Sequence, residues 1–150
     1  SSRFGKFIKI LIDPKGAITG AKVASYLLEK SRVVVVAEGE RNYHSLYHVC
    51  AGGPAELVQS LGLGAGPKSF HYLNQSSAIT LAGMEDPRMF KELATALAVV
   101  GVTDAEATNL WAILAGILHV GNVTFGGDEA ATITSAEVVP LMKSTLATDL

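Results

Sequence analysis

The sequence predicts an α+β fold in which strands come first along the chain and helices follow. Short apolar runs rich in Val and Ile, separated by a turn signal, occupy the first part. Beyond Glu40 the apolar residues instead recur at spacings of three and four, as in helices. The chain has 150 residues and 49% hydrophobic content, so it is about the size of one domain and can bury a core.

Two strands and a turn are predicted first. Phe7–Ile12 is apolar except for one lysine, which is typical of a central strand covered on both faces. Asp13-Pro14-Lys15-Gly16 has the residues that a type I turn favours, and Ile18–Leu28 is the return strand, with Gly20 as a candidate bulge. The four valines Val33–Val36 predict a further short strand.

Two short helices are predicted next. The first is closed by Gly52-Gly53, and Pro54 suits the first position of the second, after which 62–68 (GLGAGPK) is a loop. The predicted buried face of the first helix consists of Tyr43, Leu46, Tyr47 and Cys50.

A third helix is predicted to start with Asp86 as its cap and Pro87 at its first position, and to end at Gly101. Its predicted buried stripe is Phe90, Leu93, Leu97 and Val100.

Thr103 and Glu106 have the spacing of a capping box for a fourth helix, which Gly121 ends. Its predicted buried stripe is Leu110, Ile113, Leu114, Ile117 and Leu118. A hairpin or loop is expected over Thr124–Ile133, and a helical stretch over Ser135–Leu150, within which Pro140 is unfavourable.

Composition excludes several classes of protein. Twelve basic and fourteen acidic residues leave a formal charge of −2 without a block of one sign, so we expect no nucleic-acid or anionic-lipid partner. The one cysteine, Cys50, cannot form an internal disulfide, which fits a reducing cytosol. The apolar runs are shorter than the ~20 residues of a membrane span, and no signal peptide precedes them. We expect a cytosolic globular chain.

Two patterns raise the question of a metal site or a phosphate site. His44 and His48 are spaced i, i+4, as zinc ligands on a helix can be, but no H-E-x-x-H arrangement accompanies them, so we interpret them as structural. The loop at 62–68 has glycines and a lysine, but Pro67 and the missing Ser/Thr break the phosphate-binding pattern, which favours an ordinary surface loop. Trp111 lies beside the apolar stripe and is interpreted as core or partner surface.

The first three residues, Ser1, Ser2 and Arg3, suit a phosphate site. A serine oxygen is a hard ligand for Mg²⁺, and a second serine can hold a water molecule. An arginine fork can pair with a carboxylate or an oxyanion. The same triplet is also common in solvated loops, so composition alone leaves both interpretations open.

Several segments resemble myosin motor domains, in the order and at the spacing of that family. SSRFGKF, which starts at Ser1, is similar to the tail of the switch I loop, whose family pattern is N-x-N-S-S-R-F-G-K. The other similar segments are YLLEKSRVV, ERNYH, FHYLNQS and ILHVGNVTF, which end at Phe125. The resemblance implies that residues 1–150 are a partial motor domain, with the switch I tail, central-sheet strands and upper 50-kDa helices. When complete, it would have the α/β architecture of the P-loop NTPases.

The resemblance also implies roles and ligands. Ser2 would coordinate the Mg²⁺ of Mg·ATP, Ser1 would position the attacking water, and Arg3 would pair with a glutamate of switch II. It implies a motor that hydrolyses ATP and moves along actin filaments, located in the cytoplasm and cytoskeleton. The remainder of the head would be a partner, and light chains or calmodulin would bind elsewhere in the parent. Without a P-loop and switch II, the isolated chain is expected to be inactive. The alternatives are a non-catalytic myosin-like interaction module and, less well matched, a kinesin-like motor.

Overall fold

The structure is a computed structural model that describes residues 4–128 and 130–146. The side chains of Phe4 and Tyr26–Leu28 lie outside that description. The chain divides into two compact units, one ending at Arg32 and the other beginning at Val33. It has both strands and helices, with the long strands first, as the sequence predicts.

The first unit contains a β-hairpin. Strand β1 (Phe4–Ile12) pairs antiparallel with β2 (Ile18–Leu28), from Phe4 opposite Leu28 to Ile12 opposite Ile18. The connecting turn is fixed by Asp13, whose Oδ1 accepts hydrogen bonds from the backbone N–H groups of Lys15 and Ala17, both at 2.8 Å. Gly16 has φ +85°, a conformation that favours glycine. The predicted hairpin is therefore confirmed, with a register shift next to Gly20.

The surroundings of β1 differ from the prediction. The strand begins at Phe4 rather than at Phe7, and within the described residues it pairs with β2 alone. Phe7 and Ile12 are each 62% exposed. Within the hairpin itself nothing covers those faces, so the covering predicted for both faces of β1 stays a prediction.

The second unit is mainly helical. A 3-10 turn over Lys30–Val33 leads into it from the hairpin. The helices are α1 (His44–Gly52), α2 (Ala55–Ser60), α3 (His71–Asn74), α4 (Asp86–Val99), α5 (Asp104–Gly121) and α6 (Val138–Leu146). A small antiparallel pair, β3 (Phe125–Gly126) and β4 (Thr132–Ile133), confirms the hairpin predicted between α5 and α6.

The core of this unit lies where α1, α4 and α5 meet. The Phe90 and Trp111 rings pack against each other with centroids 5.0 Å apart, which confirms that Trp111 is a core residue. The other buried members of the cluster are Leu46, Tyr47, Val49, Cys50, Leu61, Leu63, Phe70, Leu73, Ala115 and Leu118.

The start of α5 follows its local sequence signal. The Thr103–Glu106 capping box is present, since Thr103 Oγ1 accepts from Glu106 N–H and Glu106 Oε2 accepts from Thr103 N–H. Pro140 lies in the first turn of α6, where the backbone N–H has no partner within the helix, so it does not prevent the helix.

Two predictions of local structure are wrong. Val33–Val36 is not a strand, because Val34 O and Val36 N–H bond to the side chain of Gln75 rather than to a neighbouring strand. Asp86 does not cap α4: the helix begins with Asp86 itself, and its carboxylate turns to Arg41.

The buried face of α5 is also rotated from the predicted stripe. Of the predicted stripe, Leu118 is buried and Leu114 packs against the core, but Leu110 and Ile113 are 41% and 48% exposed. Trp111 and Ala115, which lie outside the stripe, are buried. Because α5 is apolar over most of its surface, its sequence pattern does not mark the inner face sharply. On α4, Val100 follows the last helical residue and is exposed.

Candidate functional site

The three residues predicted to carry chemistry, Ser1, Ser2 and Arg3, lie outside the described residues. Strand β1 begins at the next residue, Phe4, which pairs with Leu28. The roles assigned to the three residues therefore remain predictions. As donor chemistry, two serine hydroxyls supply oxygen ligands of the kind that Mg²⁺ prefers.

The glycine-rich segment 62–68 connects α2 to a 3-10 turn at Pro67–Ser69. A phosphate-binding loop instead connects a strand to a helix, so the context does not fit. Gly62 has φ +68°, and a Cβ placed there would lie 2.9 Å from Leu141 Cδ2 and 3.2 Å from the His119 ring. The segment thus has a packing role at this point.

A buried charged cluster joins the start of α1 to the start of α4. Arg41 Nη2 donates to Asp86 Oδ2 at 2.8 Å, and both residues are 8% exposed. The guanidinium carbon lies 3.9 Å from the centre of the Tyr47 ring, a cation–π arrangement. The described ion pair of Arg41 is this one with Asp86, 45 positions along the chain.

His48 faces the same carboxylate. Its Nε2 lies 3.5 Å from Asp86 Oδ1, and neither atom has a hydrogen-bond partner. Burial lowers the pKa of His48 below its ordinary value; the Asp86 carboxylate opposes this, and His44 and Arg41 add to the lowering. The pKa of His44 is also lowered, first by burial and then by Arg41.

Neighbouring hydrogen bonds tie the ERNYH segment to the FHYLNQS segment. Asn42 Nδ2 donates to Val33 O at 2.9 Å and to Tyr72 O at 2.8 Å. Tyr47 Oη accepts from Asn42 N–H at 3.2 Å and donates to Leu73 O at 3.3 Å. Buried polar groups need such partners, and these bonds hold the two segments together.

The side chain of Gln75 gives Val34 and Val36 the backbone hydrogen bonds that a neighbouring strand would give. Its Nε2 donates to Val34 O at 2.9 Å, and its Oε1 accepts from Val36 N–H at 3.3 Å. Glu38 accepts hydrogen bonds from the hydroxyl and N–H of Ser77, and these bonds lower the pKa of Glu38. Together these contacts hold the loop before α1 against the segment after α3.

Described residues of the second unit line cavities at two places. One of about 320 Å³ is lined mainly by apolar residues of α2, α4 and α5, including Phe90, Leu97 and Trp111. The other, of about 430 Å³, lies between α3, the end of α5 and the start of α6. Neither brings together residues that the sequence predicted to be catalytic.

The described residues hold neither a metal-binding cluster nor a membrane-spanning helix. Residues 4–128 and 130–146 contain no cluster of three His, Cys, Asp or Glu side chains able to hold a metal ion. None of the helices in that part of the chain is both long and apolar enough to cross a membrane. The rings of His44 and His48 on α1 have centroids 6.1 Å apart and are tilted by 51° to each other.

Comparison with known proteins identifies the family. The family described as myosin head (motor domain) matches residues 1–149. Myosin-14 of Arabidopsis thaliana is 48% identical over 131 residues, which are 87% of this chain and 8% of that protein. Unconventional myosin-Ih of Mus musculus is 43% identical over 129 residues, 86% of this chain and 14% of that protein.

A fungal relative is similarly close. Myosin-4 of Saccharomyces cerevisiae is 44% identical over 123 residues, 82% of this chain and 8% of that protein. The chain therefore belongs to the myosin head family. It spans between 8% and 14% of the length of these three curated relatives.

Proposed function

We propose that this chain is part of the head of an actin-based motor that is driven by ATP hydrolysis. The observation that carries the proposal is the family match over residues 1–149, together with the motif SSRFGK at residues 1–6. In the proposal, residues 1–150 comprise the switch I tail, two strands of the central sheet and helices of the upper 50-kDa region. The complete head would have a P-loop NTPase architecture and would work in the cytoplasm on the cytoskeleton.

The catalytic part of the proposal concerns three side chains. Ser2 is proposed to hold the Mg²⁺ of the nucleotide, and Ser1 to hold the attacking water in line with the γ-phosphate. Arg3 is proposed to pair with a carboxylate elsewhere in the head and so close the pocket. Phosphoryl transfer depends mainly on positioning and on charge stabilisation, which are the contributions these groups can make.

The hairpin is proposed to link the pocket to the filament-binding surface. Arg3 is followed directly by β1, so a movement at the pocket would act on a paired strand rather than on a loose loop. The apolar side chains that β1 exposes on both faces support burial against other parts of the head. Hinge and shear movements of this kind transmit switching in other proteins.

The test is the substitution Arg3→Ala in the complete head. We expect nucleotide binding to change less than about twofold and single-turnover hydrolysis to slow by about a hundredfold or more. The matched control is Lys6→Ala, which removes an exposed cation from β1 and should leave hydrolysis unchanged. Quenched-flow measurement of phosphate formation, with binding followed by a fluorescent nucleotide, separates the two steps.

Unchanged hydrolysis in the Arg3→Ala head would refute the closing role. A parent protein that binds actin filaments but does not hydrolyse ATP would instead support the interaction module.

A further inference from the structure

The buried cluster at the start of α1 contains a histidine that the proposed motor chemistry does not use. His48 is 7% exposed, and its Nε2 faces Asp86 Oδ1 at 3.5 Å. Arg41 Nη2 bonds the other carboxylate oxygen, Oδ2, at 2.8 Å. The carboxylate therefore lies between a fixed cation and a group that can become one.

The charges in the cluster are balanced while His48 is neutral. The guanidinium of Arg41 does not lose its proton in proteins, so it compensates the single negative charge of Asp86 permanently. A proton on His48 would leave one uncompensated positive charge in a site that water barely reaches, which is costly.

The other titratable groups that face His48 do not relieve that charge. His44 lies on the same helix with its ring centroid 6.1 Å away, and a proton there would add repulsion. Cys50, two positions further along α1, lies off the face that carries His48, and its thiol is neutral because burial, and then the Asp86 carboxylate, raises its pKa to about 12. The charged group of α4 that acts on His48 is Asp86, and the charged group of the segment before α1 is Arg41.

We propose that Arg41, His48 and Asp86 form a proton-sensitive latch between α1 and α4, closed while His48 is neutral and released when His48 binds a proton. The latch acts at a junction within the second unit. It holds the ERNYH segment, through Arg41, against the first turn of α4.

The direction of the pH dependence follows from the lowered pKa of His48. The unfolded or opened state binds a proton near the ordinary histidine value of about 6.5, whereas the closed state resists it. The stabilisation is therefore complete above about pH 6.5 and is lost as the pH falls below that value.

Hydrogen exchange with mass spectrometry in the complete head tests the latch. Between pH 7.5 and 5.5 the opening equilibrium of peptides from α1 and α4 should rise by up to about tenfold for one histidine, after correction for intrinsic exchange. His48→Gln should remove most of that rise. His71→Gln, which removes an exposed histidine of α3, is the control and should leave the rise unchanged.

A second measurement does not depend on any variant being well folded. Titration of the ¹³C-labelled histidine rings in the unsubstituted head should give His48 a midpoint below about 6.5. A midpoint at or above that value, or a pH-dependent rise of the same size in His48→Gln, would overturn the latch.

Discussion

At the scale of single residues, the ion pair between Arg41 and Asp86 is the contact with the largest expected consequence. Both side chains are almost fully buried, and Arg41 Nε already lacks a hydrogen-bond partner. Removing one member of such a pair leaves a charge in a site with little water, so the loss exceeds that of a surface pair.

We therefore predict that Asp86→Ala lowers the free energy of opening of α1 and α4 by about 3–5 kcal/mol. The matched control is Glu92→Ala, which removes an exposed ion pair with Arg88 on the same helix and should cost less than about 1 kcal/mol. Hydrogen exchange of peptides from the two helices in the complete head measures both changes. Equal costs for the two variants would contradict the importance of burial.

Residue-level partners were the least predictable feature of the sequence. The pattern shows that Arg41 and Asp86 are charged, but 45 positions separate them, and only the packing of α1 on α4 brings them together. Sequence reasoning accordingly assigned Asp86 to a helix cap. The sequence does contain one clue. Arg41 and Asn42 lie just before a helix with a largely buried face, and buried polar groups need specific partners.

At the scale of elements, the turn of the hairpin and the start of α5 carry local signals, and these two were predictable. The Asp13 turn and the Thr103 capping box depend on contacts within a few residues. The strand predicted at Val33–Val36 does not form, because β propensity takes effect only beside a neighbouring strand. Here the side chain of Gln75 supplies the hydrogen bonds instead.

The junction after α2 gives a prediction at this scale. Gly62→Ala should destabilise the second unit by roughly 1–2 kcal/mol for the positive φ alone, and further because the added Cβ would meet Leu141 and His119. The His119 ring has little freedom to move, since its Nε2 lies 2.8 Å from Leu61 O.

Gly83→Ala is the matched control for that substitution. Gly83 also has a positive φ, +79°, but nothing lies within 4 Å of an added Cβ. The excess cost of Gly62→Ala over Gly83→Ala, measured by hydrogen exchange in the complete head, isolates the packing contribution. If the two variants were destabilised equally, Leu141 and His119 would be shown to adjust freely to the added Cβ.

At the scale of the whole molecule, the order of strands and helices was predictable because apolar periodicity changes clearly near Glu40. The inner face of α5 was not, since an almost uniformly apolar helix can turn several faces inward. The candidate catalytic residues were reached through resemblance to a family, because a Ser-Ser-Arg triplet alone does not distinguish a nucleotide site from a loop.

Cys50 provides a prediction about the unit as a whole. Its thiol is 6% exposed, and burial raises its pKa to about 12, so it reacts only when the core opens. At pH 8 we expect disulfide-exchange labelling of Cys50 to be at least about a hundredfold slower than in a short peptide, which corresponds to ~2.7 kcal/mol. Mass spectrometry of the Cys50 peptide gives the rate, and labelling at the peptide rate would contradict the described core.

The hairpin of the first unit has a practical consequence. Both faces of the β1–β2 ribbon carry exposed apolar side chains. Ile18 is 71% exposed and Val23 is 63% exposed. A ribbon like this, separated from whatever shields it, is a template on which further copies can add strand by strand. Anyone who produces the 150 residues by themselves should therefore expect fibrous or amorphous precipitate, and polar replacements at these two positions are the first remedy to try.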